Sequence, residues 1–200
     1  MSPEMNSYKT KRLFDIIGAV VGLILLSPIY LIIFLGLKLT CKGPAFFVQE
    51  RIGKGGKPFN IYKFRTMIVN NENNGVPLLT EADDERLTTF GKWLRSHHLD
   101  ELPQLWNVVK GDMSFVGYRP ERQYFIDQIM ALRPDYSELY QIRPGITSEA
   151  TIHNGYTNTM EKMIRRLDMD LAYLHNQSIS TDAKIVAETL LSIITARKKK

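Results

Sequence analysis

The longest apolar stretch of the chain runs from Ile16 to Leu37, which is 22 consecutive residues without a charge. As a helix with a rise of about 1.5 Å per residue, it is long enough to reach across a bilayer core of roughly 30 Å. The stretch is longer than the hydrophobic region of a usual signal peptide, and it lacks a small-residue cleavage site before a polar mature start. The pattern therefore predicts a membrane element that stays in the protein.

Two features of this stretch favour a re-entrant helix-break-helix over a helix that crosses the bilayer. The basic residues at its two ends are Lys9, Lys11, Arg12, Lys38 and Lys42. The positive-inside rule draws both ends to the cytoplasmic side. Near the middle, Pro28 lacks a backbone donor and bends the helix, while the Ser27 hydroxyl can satisfy a freed carbonyl. Asp15 is expected to pair with Arg12 at the membrane interface.

Alternating polar and apolar positions then predict a β-hairpin. The segments "AFFVQER" and "PFNIYKFRTM" have the pattern of strands, and "IGKGGK" between them is typical of a glycine-rich turn. These glycines do not form a dinucleotide-binding fingerprint, because no helix follows them. The polar segment "IVNNENNGVPLLTEADD" predicts a mobile loop.

Helical periodicity dominates the rest of the chain. In "DERLTTFGKWLRSHH" the apolar residues recur at helical spacing and place Arg95 near a helix end. Residues 101–110 predict a short helix with Pro103 in its first turn and Gly111 beyond its end. Residues 121–141 predict a helix with a break near Pro134, "IRPGIT" predicts a turn, and residues 158–176 predict another helix.

The last stretch, residues 181–200, has apolar residues at helical spacing and ends in "RKKK". This pattern fits an amphipathic helix on an anionic membrane surface, and it fits a core-packed helix with a solvated tail equally well. The sequence leaves both interpretations open.

Composition narrows the class of protein without choosing a partner. Two hundred residues predict one compact domain with an appendage. The net charge of +5 and the pI of about 9.2 favour acidic partners, but nucleic acid, anionic lipid and sugar nucleotides all meet that description. The single cysteine, Cys41, excludes an intrachain disulfide and fits a packing role in a reducing compartment.

The candidate chemistry centres on two adjacent carboxylates, Asp100 and Glu101, which Arg95 precedes and Arg119 follows. Neighbouring acidic residues at a helix start are usually solvated, so the pair alone proves nothing. The positive end of the helix dipole favours ionised carboxylates, so Asp100 is expected to be an anion. Phosphoryl chemistry needs cations around the phosphate and a carboxylate as nucleophile or as a Mg²⁺ ligand. The candidate cations also include Lys63, Arg65 and Arg143.

Five segments in one order resemble the monotopic phosphoglycosyl transferases of bacteria, the bacterial sugar transferase family. They are "KRLFDIIGAVVGLILLSPIYLIIFLGLKL", "QERIGKGGKPFNIYKFRTM", "LRSHHLDELPQLWNVVKGDMSFVGYRPE", "IRPGIT" and "LDMDLAYLHNQSISTDAKI". The similarity covers nearly the whole chain, which resembles the family's small members that consist of the catalytic module alone. Ser27 and Pro28 match the family's helix break, which strengthens the re-entrant interpretation.

The resemblance implies transfer of a sugar-1-phosphate from a UDP-sugar to undecaprenyl phosphate with release of UMP, the first membrane step of surface glycan synthesis. It implies that Asp100 is the nucleophile and Glu101 its partner, with Mg²⁺ bound at the pair. Further residues match substrate-binding positions. Those residues are Lys63, Arg65, Arg119 and Arg143 as cations, Arg95 near the prenyl phosphate, and Asp170 near the active site.

The implied fold is α+β and mostly helical, with a re-entrant membrane helix-break-helix over residues 1–43 and a cytoplasmic catalytic domain over residues 44–200. A short β-hairpin and amphipathic interfacial helices belong to that domain. The expected location is the cytoplasmic face of the bacterial inner membrane, in contact with lipid, with no nucleic-acid partner and with a homodimer left open. The departures after "RPGIT", such as His153, leave the donor sugar open. The roles of His97 and His98, which flank the carboxylate pair, also stay open.

Two other functions compete with the transferase. A metal-dependent hydrolase of UDP-sugars or lipid phosphates would form product without prenyl phosphate. A non-catalytic membrane tether would tolerate changes at Asp100 and Glu101 and would depend mainly on total charge and salt.

Overall fold

Helices account for most of the described part of the chain, which comprises residues 3–41, 43–68, 84–155 and 157–194 of this computed structural model. In chain order the elements are α1 (Pro3–Leu25), α2 (Ser27–Thr40), β1 (Phe46–Ile52), β2 (Pro58–Phe64), α3 (Thr89–Ser96), α4 (Gln104–Lys110), β3 (Ser114–Val116), α5 (Gln123–Leu132), β4 (Gly145–Thr147), α6 (Glu149–His153), α7 (Met160–His175) and α8 (Ile179–Ile194). Short 3-10 helices cover Lys54–Gly56, Leu99–Glu101 and Pro134–Gln141. The predicted mostly helical composition is confirmed, and the predicted loop "IVNNENNGVPLLTEADD" falls largely outside the described residues.

The apolar stretch forms two helices, α1 and α2, which are bent by 59° at their junction. Pro28 lies in the first turn of α2, where its missing N–H breaks no helical bond. The Ser27 hydroxyl donates to the Ile24 carbonyl over 2.7 Å, as expected for a serine at a helix break. Within the described ranges, no single helix is long and apolar enough to cross a bilayer, whereas α1 and α2 together pass that test.

The buried side of α1 packs on α4 and β3 through polar groups. Asp15 is 5% exposed and accepts hydrogen bonds from the Ser114 hydroxyl over 2.8 Å and from the Phe115 N–H over 3.2 Å. Arg12 donates to the Val108 carbonyl over 2.6 Å, at the end of α4. Asp15 and Arg12 therefore take their direct partners from neighbouring elements, although their opposite charges still interact.

The predicted hairpin is confirmed. Strands β1 and β2 pair antiparallel, with Val48 opposite Tyr62 and Phe47 opposite Lys63. The turn contains two glycines with left-handed backbone, Gly55 at φ 71° and Gly56 at φ 69°, a conformation that residues with a side chain rarely adopt. The hairpin thereby presents Lys63 near the end of β2.

Helices α3 and α4 are shorter than predicted. Helix α3 begins at Thr89, where the Thr88 hydroxyl caps it by accepting from the Gly91 N–H over 2.9 Å. Helix α4 begins at Gln104 and not at residue 101, because Leu99–Glu101 forms a separate 3-10 helix. The end of α4 is as predicted, with Gly111 in the left-handed conformation at φ 97°.

The segment "IRPGIT" was predicted as a turn, but its second half is strand β4, which pairs in parallel with β3. The prediction is wrong because a strand of three residues is too short to show an alternating pattern. A Cβ on Gly145 would lie 2.1 Å from the backbone nitrogen of Gly117, so the close approach of the two strands requires glycine at this position.

The main hydrophobic core lies between β3, α5, the 3-10 helix Pro134–Gln141 and α7. Its most buried members include Val116, Ile126, Ile129, Leu139, Met163 and Leu167. Helix α8 joins this core through Ile185, which is 3% exposed, whereas Leu190 and Leu191 near its end are 54% and 60% exposed. The first half of α8 is thus core-packed, and its end keeps an exposed apolar surface.

Candidate active site

The two carboxylates of the predicted site lie on the 3-10 helix between α3 and α4. His98 turns the chain into this segment with a left-handed backbone at φ 54°, and Pro103 then leads into α4. Tyr30, on α2 close to the bend, donates a hydrogen bond from its hydroxyl to the Leu102 carbonyl. The segment that carries Asp100 and Glu101 is therefore fixed directly to the bent helix pair.

Two cationic side chains contact the carboxylate of Glu101. The Lys63 ammonium donates to its Oε1 over 2.6 Å, and the Arg119 guanidinium approaches the same oxygen at 3.4 Å. Lys63 comes from β2, and Arg119 from the segment after β3, so residues far apart in sequence converge here. A carboxylate held by two cations is a strong, charge-assisted arrangement. Three of the predicted site residues, Lys63, Glu101 and Arg119, are thus brought together.

The two neighbouring carboxyl groups have opposite pKa shifts. Burial raises the pKa of Glu101, but the charges of Lys63 and Arg119 outweigh burial and hold this pKa well below its usual range. Burial raises the pKa of Asp100, and the negative charge of Glu101 raises it further, against opposing contributions from Lys63 and Arg95. This shift opposes the expected effect of the helix dipole, because burial has the largest influence on the pKa of Asp100. That Asp100 is an anion stays a prediction.

The pKa values of the two cations, Lys63 and Arg119, are shifted in opposite directions. Burial lowers the pKa of Lys63, although Glu101 and Asp100 oppose that shift. For Arg119 the charge of Glu101 is the largest influence and raises the pKa. Arg119 therefore stays charged, and Lys63 depends on the carboxylates around it to remain so.

Arg95 is close enough to Asp100 for their charges to interact. Its Nε donates to the buried Thr66 hydroxyl over 2.9 Å, and its charge lowers the pKa of Asp100. Arg65, one residue before Thr66, has a buried Nη1 without a hydrogen-bond acceptor among the described residues. Arg95 thus acts on the carboxylate pair through its charge, whereas among the described residues no contact connects the Arg65 side chain to the pair.

The side chain of Arg143 contacts a different part of the molecule. Its Nε donates to the Gly111 carbonyl over 2.7 Å, and its guanidinium contacts the hydroxyl and ring of Tyr8 on α1. These contacts join α1 to the end of α4. In this conformation Arg143 lies apart from the cations that surround Glu101.

Asp170, on α7, contacts the backbone of Arg119 and is 2% exposed. Burial raises the pKa of Asp170 to about 7, against the lowering effects of Arg166, the Arg119 backbone N–H and the Ser148 hydroxyl. Because Asp170 contacts the backbone of Arg119, it supports the segment that carries this arginine.

A buried ion cluster of Arg51, Glu121 and Arg166 lies near Arg119 and was not predicted from the sequence. Glu121 accepts from Arg51 over 2.9 Å and from Arg166 over 2.8 Å. Burial raises the pKa of Glu121, but Arg166 and Arg51 outweigh it, so the net pKa is lowered. Glu121 lies in the quoted segment "YRPE", but its partners come from β1 and α7, and nothing in the sequence indicates that these three elements meet.

The carboxylate pair fits the usual mode of Mg²⁺ binding at phosphoryl-transfer sites. Within the described ranges, no group of three or more His, Cys, Asp or Glu side chains is arranged to hold a metal. Mg²⁺ in such sites commonly takes one or two carboxylates and completes its coordination with substrate phosphates and water. Asp100 and Glu101 supply two carboxylates, and Mg²⁺ binding by them stays a prediction.

The comparisons with known proteins agree with the resemblance. Residues 6–196 match the family model described as bacterial sugar transferase. The chain is 40% identical over 185 residues to the UDP-N-acetylgalactosamine-undecaprenyl-phosphate N-acetylgalactosaminephosphotransferase of Aeromonas hydrophila, covering 92% of this chain and 44% of that protein. It is 44% identical over 182 residues to the UDP-glucose:undecaprenyl-phosphate glucose-1-phosphate transferase of Klebsiella pneumoniae, covering 90% and 39%.

A UDP-glucose:undecaprenyl-phosphate glucose-1-phosphate transferase of Caulobacter vibrioides is 41% identical over 187 residues, which cover 92% of this chain and 70% of that protein. The chain therefore spans less than half of the Aeromonas and Klebsiella relatives and more than two thirds of the Caulobacter one. Each alignment covers at least nine tenths of this chain and therefore extends across the carboxylate pair.

Proposed function

The chain belongs to the bacterial sugar transferase family, and on that premise we propose that it transfers a sugar-1-phosphate from a UDP-sugar to undecaprenyl phosphate and releases UMP. The observation that carries this proposal is the pair of a buried Asp100 and a largely buried Glu101, with Lys63 and Arg119 in contact with Glu101. The pair lies directly beside the exposed apolar helices α1 and α2. Such a site combines a carboxylate nucleophile, cations for phosphate and access to lipid.

In the first step a carboxylate oxygen of Asp100 attacks the phosphorus that carries the sugar. A bond forms between that oxygen and phosphorus, and the bond from phosphorus to the bridging oxygen of the diphosphate breaks. UMP leaves with the bridging oxygen and its electron pair. Lys63 and Arg119 offset the charge on the phosphate oxygens, which is the main catalytic requirement of phosphoryl transfer.

In the second step a phosphate oxygen of undecaprenyl phosphate attacks the same phosphorus. The bond to Asp100 breaks, and the carboxylate is regenerated with its negative charge. Splitting the reaction in two lets one side chain serve a water-soluble donor and a membrane-bound acceptor in turn. We assign Arg95 to the acceptor phosphate, because it lies beside Asp100 and is held by Thr66.

The remaining predicted site residues have supporting roles in this proposal. Arg65 and Arg143 are further cations for substrate phosphates, which requires Arg143 to exchange its contact with Tyr8 for the ligand. Asp170 positions Arg119 by accepting a hydrogen bond from its backbone N–H. Mg²⁺ held by Asp100 and Glu101 would neutralise charge on the donor phosphates.

We further propose that α1 and α2 form a re-entrant membrane segment on the cytoplasmic face of the bacterial inner membrane. In support, α1 and α2 expose a continuous set of large apolar side chains. They include Phe14, Ile17, Ile24, Leu25, Leu31, Ile32 and Leu39, which are 51% to 87% exposed. Lys11 at one end contacts Asp182 of α8, and Leu37 at the other end packs against Leu94 of α3. Because both ends pack on the same globular part, a re-entrant path suits the pair better than a span.

The proposed reaction is tested by UMP release from a panel of UDP-sugars with undecaprenyl phosphate, using the full chain in lipid nanodiscs. We expect Asp100→Asn to lower UMP release by roughly 10³-fold or more, because the amide is not a nucleophile. The matched control is Asp127→Asn, which changes an exposed carboxylate on α5.

The same assay separates the transferase from the alternatives. Without undecaprenyl phosphate, the transferase releases at most one UMP per protein molecule, whereas a hydrolase turns over continuously. A normal rate of UMP release in Asp100→Asn would reject the assignment of the nucleophile, and no release from any UDP-sugar by the unmodified chain would reject the proposed function.

A further inference from the structure

Strand β2 carries Lys63 to the carboxylate pair, and one edge of this strand lies open. Within the described ranges β2 pairs with β1 alone, so its other edge leaves backbone N–H and C=O groups for partners outside the sheet. Helix α4 packs against β2, because Ile61 is 4% exposed and shares a hydrophobic cluster with Leu105 and Val108. Contacts from α4 to the open edge of β2 therefore influence where Lys63 lies.

The side chain of Asn107, on α4, occupies this edge. Its Oδ1 accepts from the Tyr62 N–H over 3.1 Å, and its Nδ2 donates to the Asn60 carbonyl over 2.7 Å. A side-chain carboxamide offers the same donor and acceptor groups as a peptide bond. Asn107 therefore pairs with β2 as a neighbouring strand would, and it contacts the backbone on both sides of Ile61.

The chemistry of the partners fixes the orientation of this amide. The Nδ2 of Asn107 also donates to the Asp112 carboxylate over 3.3 Å, so both of its partners are acceptors. The partner of Oδ1 is a backbone N–H, which only donates. Exchanging the two amide atoms would place donor against donor and acceptor against acceptor. Asn107 is also 0% exposed, so bulk water does not compete for these bonds.

The backbone of Asn107 adds a second set of contacts. Its carbonyl accepts from the N–H groups of Gly111, Asp112 and Met113 over 3.1, 3.0 and 3.2 Å. The left-handed backbone of Gly111 allows the chain to turn back at this point. Asn107 thus connects three parts of the molecule, namely β2, α4 and the turn that ends α4.

We propose that Asn107 is a positioning residue for the reaction: by pairing with the open edge of β2, it holds Lys63 on Glu101. The inference rests on the proposed function. Lys63 directly follows Tyr62, which Asn107 binds, and Glu101 lies on the 3-10 helix that precedes α4. The contact of 2.6 Å between Lys63 and Glu101 therefore joins two segments that Asn107 also connects. Asn107 acts through Lys63 and not on the reacting atoms.

The test is a double-mutant cycle between Asn107 and Lys63, with the full chain in nanodiscs. Asn107→Ser shortens the side chain so that it no longer reaches both backbone groups, and it leaves room for water to satisfy them. The matched control is Asn60→Ser, which makes the same exchange at an exposed side chain of β2. Each variant is measured alone and combined with Lys63→Met, which removes the ammonium group, and the readout is kcat for UMP release.

We expect Asn107→Ser to lower kcat about tenfold to a hundredfold, because a displacement of roughly 1 Å in an active site can cost that much. In the Lys63→Met background the same exchange should change kcat by less than about twofold, because the group that Asn107 positions is already absent. A purely structural role would give the same factor in both backgrounds. Asn60→Ser should leave kcat unchanged in both.

Hydrogen exchange measures the contact with β2 independently of the reaction. The Tyr62 amide hydrogen is expected to exchange at least about tenfold faster in Asn107→Ser than in the unmodified chain, because its acceptor is lost. It should stay protected in Asn60→Ser. Thermal unfolding checks that Asn107→Ser is folded. If it is not, Asn107→Asp keeps the size and the acceptor but loses both donor hydrogens, and it takes the place of Asn107→Ser in the cycle.

Three results would overturn the proposal. They are equal factors in the two Lys63 backgrounds, an unchanged kcat in folded Asn107→Ser, and an unchanged exchange rate of the Tyr62 amide in that variant. Absence of UMP release by the unmodified chain would reject the proposed function instead, and hydrogen exchange would then still decide whether Asn107 holds β2.

Discussion

Asp100 and Glu101 are neighbours in the chain, yet their surroundings shift their pKa values in opposite directions. Glu101 meets Lys63 and Arg119 directly and stays ionised, while burial and the charge of Glu101 raise the pKa of Asp100. Adjacent titratable groups whose pKa values are pushed apart commonly have different catalytic roles. Glu101 holds Lys63 and Arg119 in place. Asp100 has the higher pKa of the two carboxylates, and the more basic carboxylate suits a nucleophile that must form a bond.

Asp170 gives a prediction at the residue scale. Its pKa is about 7 in the folded chain, above the value of about 3.9 for an unfolded aspartate. A raised folded pKa contributes stability that is fully present below about pH 4 and is lost as the pH rises through 7. The free energy of unfolding is therefore expected to fall over this range, by a few kcal/mol at most.

Asp170→Asn should remove this pH dependence, because an amide does not titrate. Denaturant unfolding between pH 4.5 and 8 in detergent measures it, with the exposed Asp127→Asn as control. If Asp170→Asn keeps the full decline that the unmodified chain shows, another group causes the decline and the account of Asp170 is wrong.

At the scale of elements, the contact between α3 and the segment after β2 positions Arg95. A Cβ on Gly91 of α3 would lie 2.0 Å from the Thr66 carbonyl oxygen, so the helix packs directly on this backbone. The same threonine accepts the hydrogen bond of Arg95 through its hydroxyl. One glycine thereby sets the distance between Arg95 and the strand that carries Lys63.

Gly91→Ala is expected to destabilise the chain by about 1–3 kcal/mol or more, because the added methyl group forces α3 away from rigid backbone. Gly22→Ala is the control, since its Cβ would meet only the flexible end of Leu105, at 3.1 Å. Thermal unfolding of the two variants in detergent is the measurement. Equal melting temperatures would show that α3 does not rest on Thr66.

Long elements were predictable from the sequence, and short ones were not. The helix pair, its break at Ser27, the hairpin and α7 follow from extended patterns of apolar residues and from turn chemistry. Strand β4 and the separate 3-10 helix of Leu99–Glu101 have three residues each, too few for a period. Within the site, the quoted motifs indicated Lys63, Glu101 and Arg119, but the contacts of Arg51, Asn107 and Glu121 depend on tertiary packing.

At the scale of the whole molecule, the N-terminal part of α1 is fixed to the globular part. Lys11 contacts Asp182, Arg12 donates to the Val108 carbonyl, and Asp15 accepts from Ser114. The predicted boundary between residues 1–43 and 44–200 stays a prediction. These contacts hold α1 in a fixed position relative to the part of the chain that carries the carboxylate pair.

The re-entrant path predicts that both ends of the helix pair are reached from the cytoplasmic side. In a Cys41→Ala background, Lys9→Cys and Lys57→Cys should react with a membrane-impermeant maleimide in inverted vesicles and not in intact cells. Leu25→Cys, at the bend, is expected to be protected in both. Labelling of Lys9→Cys from outside intact cells would mean that α1 and α2 cross the membrane.

The central claim is that Asp100 carries the sugar phosphate between donor and lipid, and intact-protein mass spectrometry tests it most directly. The chain is incubated with a UDP-sugar that supports UMP release, without undecaprenyl phosphate. The account predicts a mass gain of one sugar phosphate, located on Asp100, absent in Asp100→Asn and discharged when undecaprenyl phosphate is added. Stoichiometric UMP release without that adduct, or the same adduct in Asp100→Asn, would contradict it.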